Sequence, residues 1–193
     1  MTSDPQLACP SVGGPVSHRL MANIYAPHWV ERADAPLRGR TARIGALAGA
    51  ERLGATLYEI DPGQNSSPFH LHHANEEMII VLSGRPTLRT LEGSRVLEPG
   101  DVVACPVGRD GAHQLQNETD TPVRALVVST MIYPETAEML DSDKILVISH
   151  PPGRSDRLFG AFPRSAMVDR LAGELETPAD ADHPPSSRTH SWS

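Results

Sequence analysis

The chain has 193 residues, with 17 Lys and Arg against 24 Asp and Glu and a formal net charge of −7. That length suits one domain able to bury a core without disulfide staples. The mild acidity and the absence of a Lys/Arg block argue against nucleic acid or an anionic membrane surface as partner. The longest apolar runs, such as 78–82, are far too short to cross a bilayer. The first residues, MTSDPQLACPSVGG, lack a basic start followed by an apolar stretch. No signal peptide is therefore expected, and the cytoplasm is the expected compartment. Cys9 and Cys105 are expected to be free thiols there.

Residues 1–20 are expected to be a flexible N-terminal segment and 176–193 a disordered tail, being polar, Pro-rich and short of apolar surface. The folded domain is expected at 21–175, with a core barrel at about 41–149. Within it, β-rich runs occur at 54–60, 68–72, 77–83, 87–91, 94–97, 101–105, 113–117, 123–130 and 144–149. Turn signals such as Asp61-Pro62-Gly63, Glu92-Gly93-Ser94 and Glu98-Pro99-Gly100 separate them. Many short strands at this spacing predict an all-β sandwich or barrel. No strand–helix alternation is visible, which disfavours a parallel α/β fold. Met167, Leu171 and Leu175 recur at intervals of four and predict one short C-terminal helix over 165–175.

The run 77–83 carries a further expectation. If Glu77 points inward, so do Ile79 and Val81, and Met78, Ile80 and Leu82 point outward. A strand apolar on both faces needs cover on both. A homodimer is the expected source of that cover.

The stretch HLHHANEE, residues 70–77, holds three histidines and two glutamates in eight positions. On a strand, His70 and His72 project from one face, close enough to share a metal ion, while His73 faces the other way. A carboxylate follows, and His113 is a fourth candidate 41 residues beyond His72. Imidazole with carboxylate suits a divalent transition metal. Parity counted from His72 selects Glu76 as the acid, but Ala74-Asn75 reads as a connection across which parity need not survive. No Ser/His or Cys/His pair carries a local nucleophile signature.

Spacing extends the pattern. The first segment reads Gly63, six residues, His70, one, His72, four, Glu77, six, Gly84. The second reads Gly100, five, Pro106, one, Gly108, four, His113, three, Asn117. With fifteen residues between the two segments, the chain resembles the cupin superfamily, in particular its small single-domain bacterial members. Two departures stand out: one extra residue before His70 and two between Gly108 and His113. Both fall in loops, where length varies freely.

The resemblance implies an RmlC-like jelly roll, a single double-stranded β-helix with an N-terminal extension and a short C-terminal helix or tail. It implies one divalent metal ion per subunit (Fe, Mn, Ni or Zn) held by His70, His72, Glu77 and His113. Glu77 is chosen over Glu76 because six residues separate it from Gly84. Glu76 and His73 are then candidate supporting groups around the metal. The segment 131–175 is expected to pack on the barrel. Three imidazoles and one carboxylate leave an open-sided cation suited to a small organic acid or polar metabolite. The resemblance thus implies a metal-dependent enzyme of the dioxygenase, isomerase, decarboxylase or lyase type. The alternative is a metal-dependent binding or sensor protein without turnover.

Overall fold

The computed structural model describes residues 21–151 and 155–174. The expected flexible segment, the whole of the expected tail and Cys9 lie outside these residues. Strands β1 (Val30–Arg32), β2 (Gly39–Ala42), β3 (Leu53–Ile60), β4 (His70–His72), β5 (Glu77–Ser83), β6 (Thr87–Thr90) and β7 (Gly93–Val96) come first. Then follow β8 (Val102–Cys105), β9 (Gln114–Gln116), β10 (Val123–Thr130), β11 (Glu135–Met139), β12 (Lys144–Ile148) and β13 (Phe159–Pro163). One four-residue helix, α1 (Ile44–Leu47), precedes β3.

The strands make two layers. One is a six-stranded sheet in the order β1-β2-β3-β10-β5-β8. The other combines β13-β12-β11-β4 with β7-β6-β9. A single bridge, His70 paired with His113, joins those two smaller sheets. Its bonds are reciprocal: each histidine donates its backbone N–H to the other's carbonyl, at 3.2 and 2.9 Å. The fold therefore uses two expected metal ligands to close its second layer.

Side-chain alternation sorts each inner strand into an apolar end and a polar end. Ile60, Ile79, Val81, Leu88, Leu97, Leu115, Val123 and Ala125 form the apolar core with Cys105. Moving along the same inner faces away from this core, β5 reaches Glu77 and β3 reaches Tyr58. Each fully buried aliphatic side chain contributes about 1.5–3 kcal/mol. The polar end is thus set on a floor that resists displacement. Gly84 fixes the core end of β5. Its φ is +77°, and a Cβ there would lie 2.5 Å from Cγ1 of Val123, so no other residue fits.

The expected strands are present, with ends shifted by at most two residues. β1, β2, β11 and β13 are additional. The segment expected to pack on the barrel does so by lengthening its second layer, with β11 pairing β4 in the register Ala137–His72 and Met139–His70. The helix expected over 165–175 is absent from its described part: Arg164–Ala166 is one 3-10 turn, and turns follow through Glu174. Met167 is 62 % and Leu171 40 % exposed, so no packed face rewards the helical period.

On the outside of the six-stranded sheet, Glu59 is buried between two guanidinium groups. Arg40 Nε donates to its Oε1 at 2.8 Å and Arg124 Nε to its Oε2 at 2.6 Å. Trp29 lies under both cations, at 4.9 and 5.5 Å. Burial pushes the Glu59 carboxyl up, but the two arginines outweigh it and hold it below the usual glutamate range. A depressed folded pKa adds stability that is present above the unfolded value, about 4.3, and is lost as pH falls through the folded value. Glu59→Gln is expected to remove about 1–2 kcal/mol at pH 7, a buried-pair cost discounted because both arginines are one-third exposed. Urea midpoints compared at pH 7 and pH 3 check this: the gap between variant and wild type should shrink at the lower pH.

Candidate metal centre

The inner polar end brings His70, His72, Glu77 and His113 together from three places: β4, the start of β5 and the residue before β9. His70, Glu77 and His113 each offer one ligand atom, all within 4.8 Å of one another. His72 sits at the edge of that group, its Nε2 3.1 Å from His70 Nε2 and 3.6 Å from Glu77 Oε2. His113 Nε2 is 3.1 Å from the same carboxylate oxygen.

Backbone carbonyls orient two of the rings. His70 Nδ1 lies 2.9 Å from Pro68 O and His113 Nδ1 lies 2.8 Å from Gly111 O. A carbonyl only accepts, so each Nδ1 carries a proton and each Nε2 turns inward. Nitrogen lone pairs and a carboxylate then converge on one point, an arrangement that a shared cation satisfies. The donor set fits a divalent transition metal on that ground.

The electrostatics of the cluster agree. Burial pulls the His113 imidazole down, but hydrogen bonds with Cys105 and Glu77 outweigh it and raise it to about 10. Burial, then His113 and His72, push His70 down to about 4. Burial raises Glu77, yet the His113 hydrogen bond and the neighbouring rings hold it low. A protonated His113 beside an ionised Glu77 stands where a metal ion's charge would be, and binding a metal must release that proton.

The two candidate supporting groups are elsewhere. Glu76 is exposed, and its backbone N–H donates to Thr130 Oγ1 at 3.1 Å. His73 is exposed and pairs with Glu138 at 2.8 Å, outside the barrel. The bend at 73–74 and the irregular residues 75–76 shift parity by one, so Glu77 faces inward and Glu76 does not. The residues that do surround the centre were not legible from the motifs. Tyr58 borders it from β3, Asn75 from the connection and Glu135 from β11. For Glu135 the available signal was the alternation Glu135, Ala137, Met139 after a Tyr-Pro step, which reads as a strand.

Two adjoining cavities of about 200 and 210 Å³ open beside the cluster, and both are lined by Tyr58, His72, Glu77 and Val127. The first also holds Ser66, Ser67, Ile79 and Leu115; the second holds Asn75, Ser129, Tyr133 and Glu135. They suit a small ligand rather than a large one.

A jelly-roll barrel with three imidazoles and a carboxylate at its polar end defines the class, and the comparisons agree. The family model for the cupin domain matches residues 56–129. A sugar phosphate isomerase from Silicibacter pomeroyi, itself a cupin, superposes with a TM-score of 0.65 at 27 % identity, over 75 % of this chain and 93 % of its own. A provisionally named sugar phosphate isomerase from Acidithiobacillus ferrooxidans superposes with a TM-score of 0.65 at 22 % identity, over 78 % and 96 %. The search of curated proteins found no match. Residues 56–129 match the cupin domain family, and the fold built around them is a cupin jelly roll.

Proposed function

We propose that this protein is a metal-dependent enzyme acting on a small polar metabolite, and that a sugar phosphate is the first substrate class to test. The observation that carries the proposal is the convergence of His70, His72, Glu77 and His113 on one open-sided cavity. The likeness to the Silicibacter pomeroyi isomerase supports the choice of substrate. A metal held by these four side chains supplies Lewis-acid polarisation of a substrate oxygen.

The remaining lining residues divide the other tasks. Burial, and then the Glu77 charge, raise the Tyr58 phenol. It stays protonated at neutral pH and is placed to donate a hydrogen bond to a substrate oxygen. Ser66, Ser67, Ser129 and Thr130 offer hydroxyls to a polyol. Neither cavity is lined by Lys or Arg. Arg43 lines the adjoining groove, which shares Gly54, Thr56, Met131 and Tyr133 with the second cavity, and is the cation placed to meet a phosphate.

The test is turnover of a panel of aldose and ketose phosphates by metal-loaded protein, with oxygen consumption followed in parallel. Isomerisation without oxygen uptake is expected, and Tyr58→Phe should keep the metal and lose most turnover. Oxygen uptake would favour a dioxygenase. Saturable binding with neither would favour a sensor.

A homodimer and a cytoplasmic setting belong to the same proposal. The outer face of β5 supports the first: Met78 is 43 % exposed, and Ile80 and Leu82 are only half-buried in one chain. The low cysteine content and a free, buried Cys105 support the second. Among the described residues, no helix is long and apolar enough to cross a membrane.

A further inference from the structure

We propose that Glu135 is the positioning residue for His72, so that the metal centre is completed from β11, outside the matched cupin region of 56–129. The inference rests on the metal-centre reading above and adds a residue that the motifs do not contain.

The argument starts from the three rings. A metal-binding imidazole presents one nitrogen to the ion and donates the other N–H to a fixed acceptor. His70 has Pro68 O and His113 has Gly111 O in that role. His72 has no backbone carbonyl there. Its Nδ1 is buried and, among the described residues, is the one buried side-chain polar atom without a hydrogen-bond partner. An orphaned buried donor is costly, by about 1–3 kcal/mol. The acceptor facing it is Glu135 Oε1, at 3.7 Å.

Glu135 is built to wait there. It is 2 % exposed and has no Lys or Arg among its partners. Its Oε1 accepts the backbone N–H groups of His73 and Ala74 at 3.2 and 3.4 Å, and its Oε2 accepts Asn75 Nδ2. Asn75 is itself anchored: its Oδ1 accepts the Ile132 N–H at 2.8 Å and the Thr130 hydroxyl at 3.1 Å. The carboxylate is therefore fixed, and a small turn of the His72 ring closes the gap. Closing it commits the Nδ1 proton and aims the Nε2 lone pair at the point shared with His70, Glu77 and His113. It also sets a second carboxylate against a centre that carries about one positive charge when three neutral imidazoles and Glu77 hold a divalent ion.

A purely structural Glu135 would only staple the 73–75 connection. A glutamine can keep the Oε1 bonds from His73 and Ala74 but sets an N–H donor against Asn75 Nδ2, so a loss of stability by itself does not distinguish the two roles. The distinguishing experiment uses the full chain loaded with Co(II), observed by proton NMR, together with chelator competition for Co(II) affinity. Wild type should show three exchangeable, paramagnetically shifted imidazole N–H resonances, all slow to exchange. Glu135→Gln should keep two of them unmoved, shift and speed exchange of the third, and weaken Co(II) binding about 10- to 100-fold. Wild-type affinity with all three resonances unmoved in Glu135→Gln overturns the role. So does a lowered melting midpoint with both readouts unmoved, since that is the structural staple. If Glu135→Gln fails to fold, wild type alone decides: a third resonance exchanging at the rate of open imidazole overturns the proposal. Wild type that takes up no Co(II) fails at the earlier step and overturns the metal-centre reading itself.

Discussion

Glu77→Gln is expected to abolish metal binding, while Glu76→Gln leaves it within about twofold of wild type. The two residues are neighbours in sequence but not in space. Glu77 presents Oε2 to His113 at 3.1 Å and to His72 at 3.6 Å. Glu76 is exposed and lines neither cavity. An amide keeps the shape of Glu77 but removes the anionic ligand of the four and leaves the His113 imidazolium without its carboxylate partner. Changes to supporting groups alone cost about 10- to 100-fold in metal affinity, so losing an anionic ligand should cost more than about 100-fold. Metal content after dialysis against weak chelator reads this directly. Loss confined to Glu76→Gln would mean that the strand enters the site one residue out of step.

Gly111→Ala is expected to cost about 3 kcal/mol or more and to take the metal site with it. A Cβ at Gly111 would fall 1.7 Å from Pro106 O and 2.7 Å from Pro106 C. Both are backbone atoms, so relief requires opening the 3-10 turn Arg109–Gly111. That turn holds Gly111 O against His113 Nδ1, and His113 closes the second layer through its bridge to His70. Strain, packing and ligand orientation therefore fail together, the pattern behind the largest single-residue effects. Gly160→Ala is the control, with nothing within 4 Å of its added carbon and an expected cost below about 0.5 kcal/mol. Urea midpoints compare the two.

These cases show why parts of the molecule were legible in the sequence and others were not. His70, His72, Glu77 and His113 stand at spacings that a strand period and the turn glycines constrain, so local pattern located them. The turn glycines Gly63, Gly93 and Gly100 have positive φ, as do Gly84 and Gly108 of the two spaced segments. The two residues by which the second segment exceeds its family pattern belong to the loop that forms the 3-10 turn, and the sequence alone could not show that this turn carries the acceptor for His113. Glu135 and Tyr58 reach the centre through sheet pairing over long sequence separation, which no spacing records. His73 faces away from the metal pair, as strand alternation predicts, and the bend at 73–74 puts Glu76 outside, so closeness along the chain brings neither side chain to the cavities. The C-terminal periodicity failed because a four-residue repeat without a surface to pack on does not pay the cost of helix nucleation.

The most direct measurement is elemental analysis of the full chain purified without chelator and then titrated with Fe(II), Mn(II), Ni(II) and Zn(II). The expected result is one divalent ion per chain, present on purification or gained on titration, with release of about one proton at neutral pH as His113 gives up its charge. A chain that holds no metal and gains none from any of the four ions would contradict the metal centre and the enzyme proposal built on it.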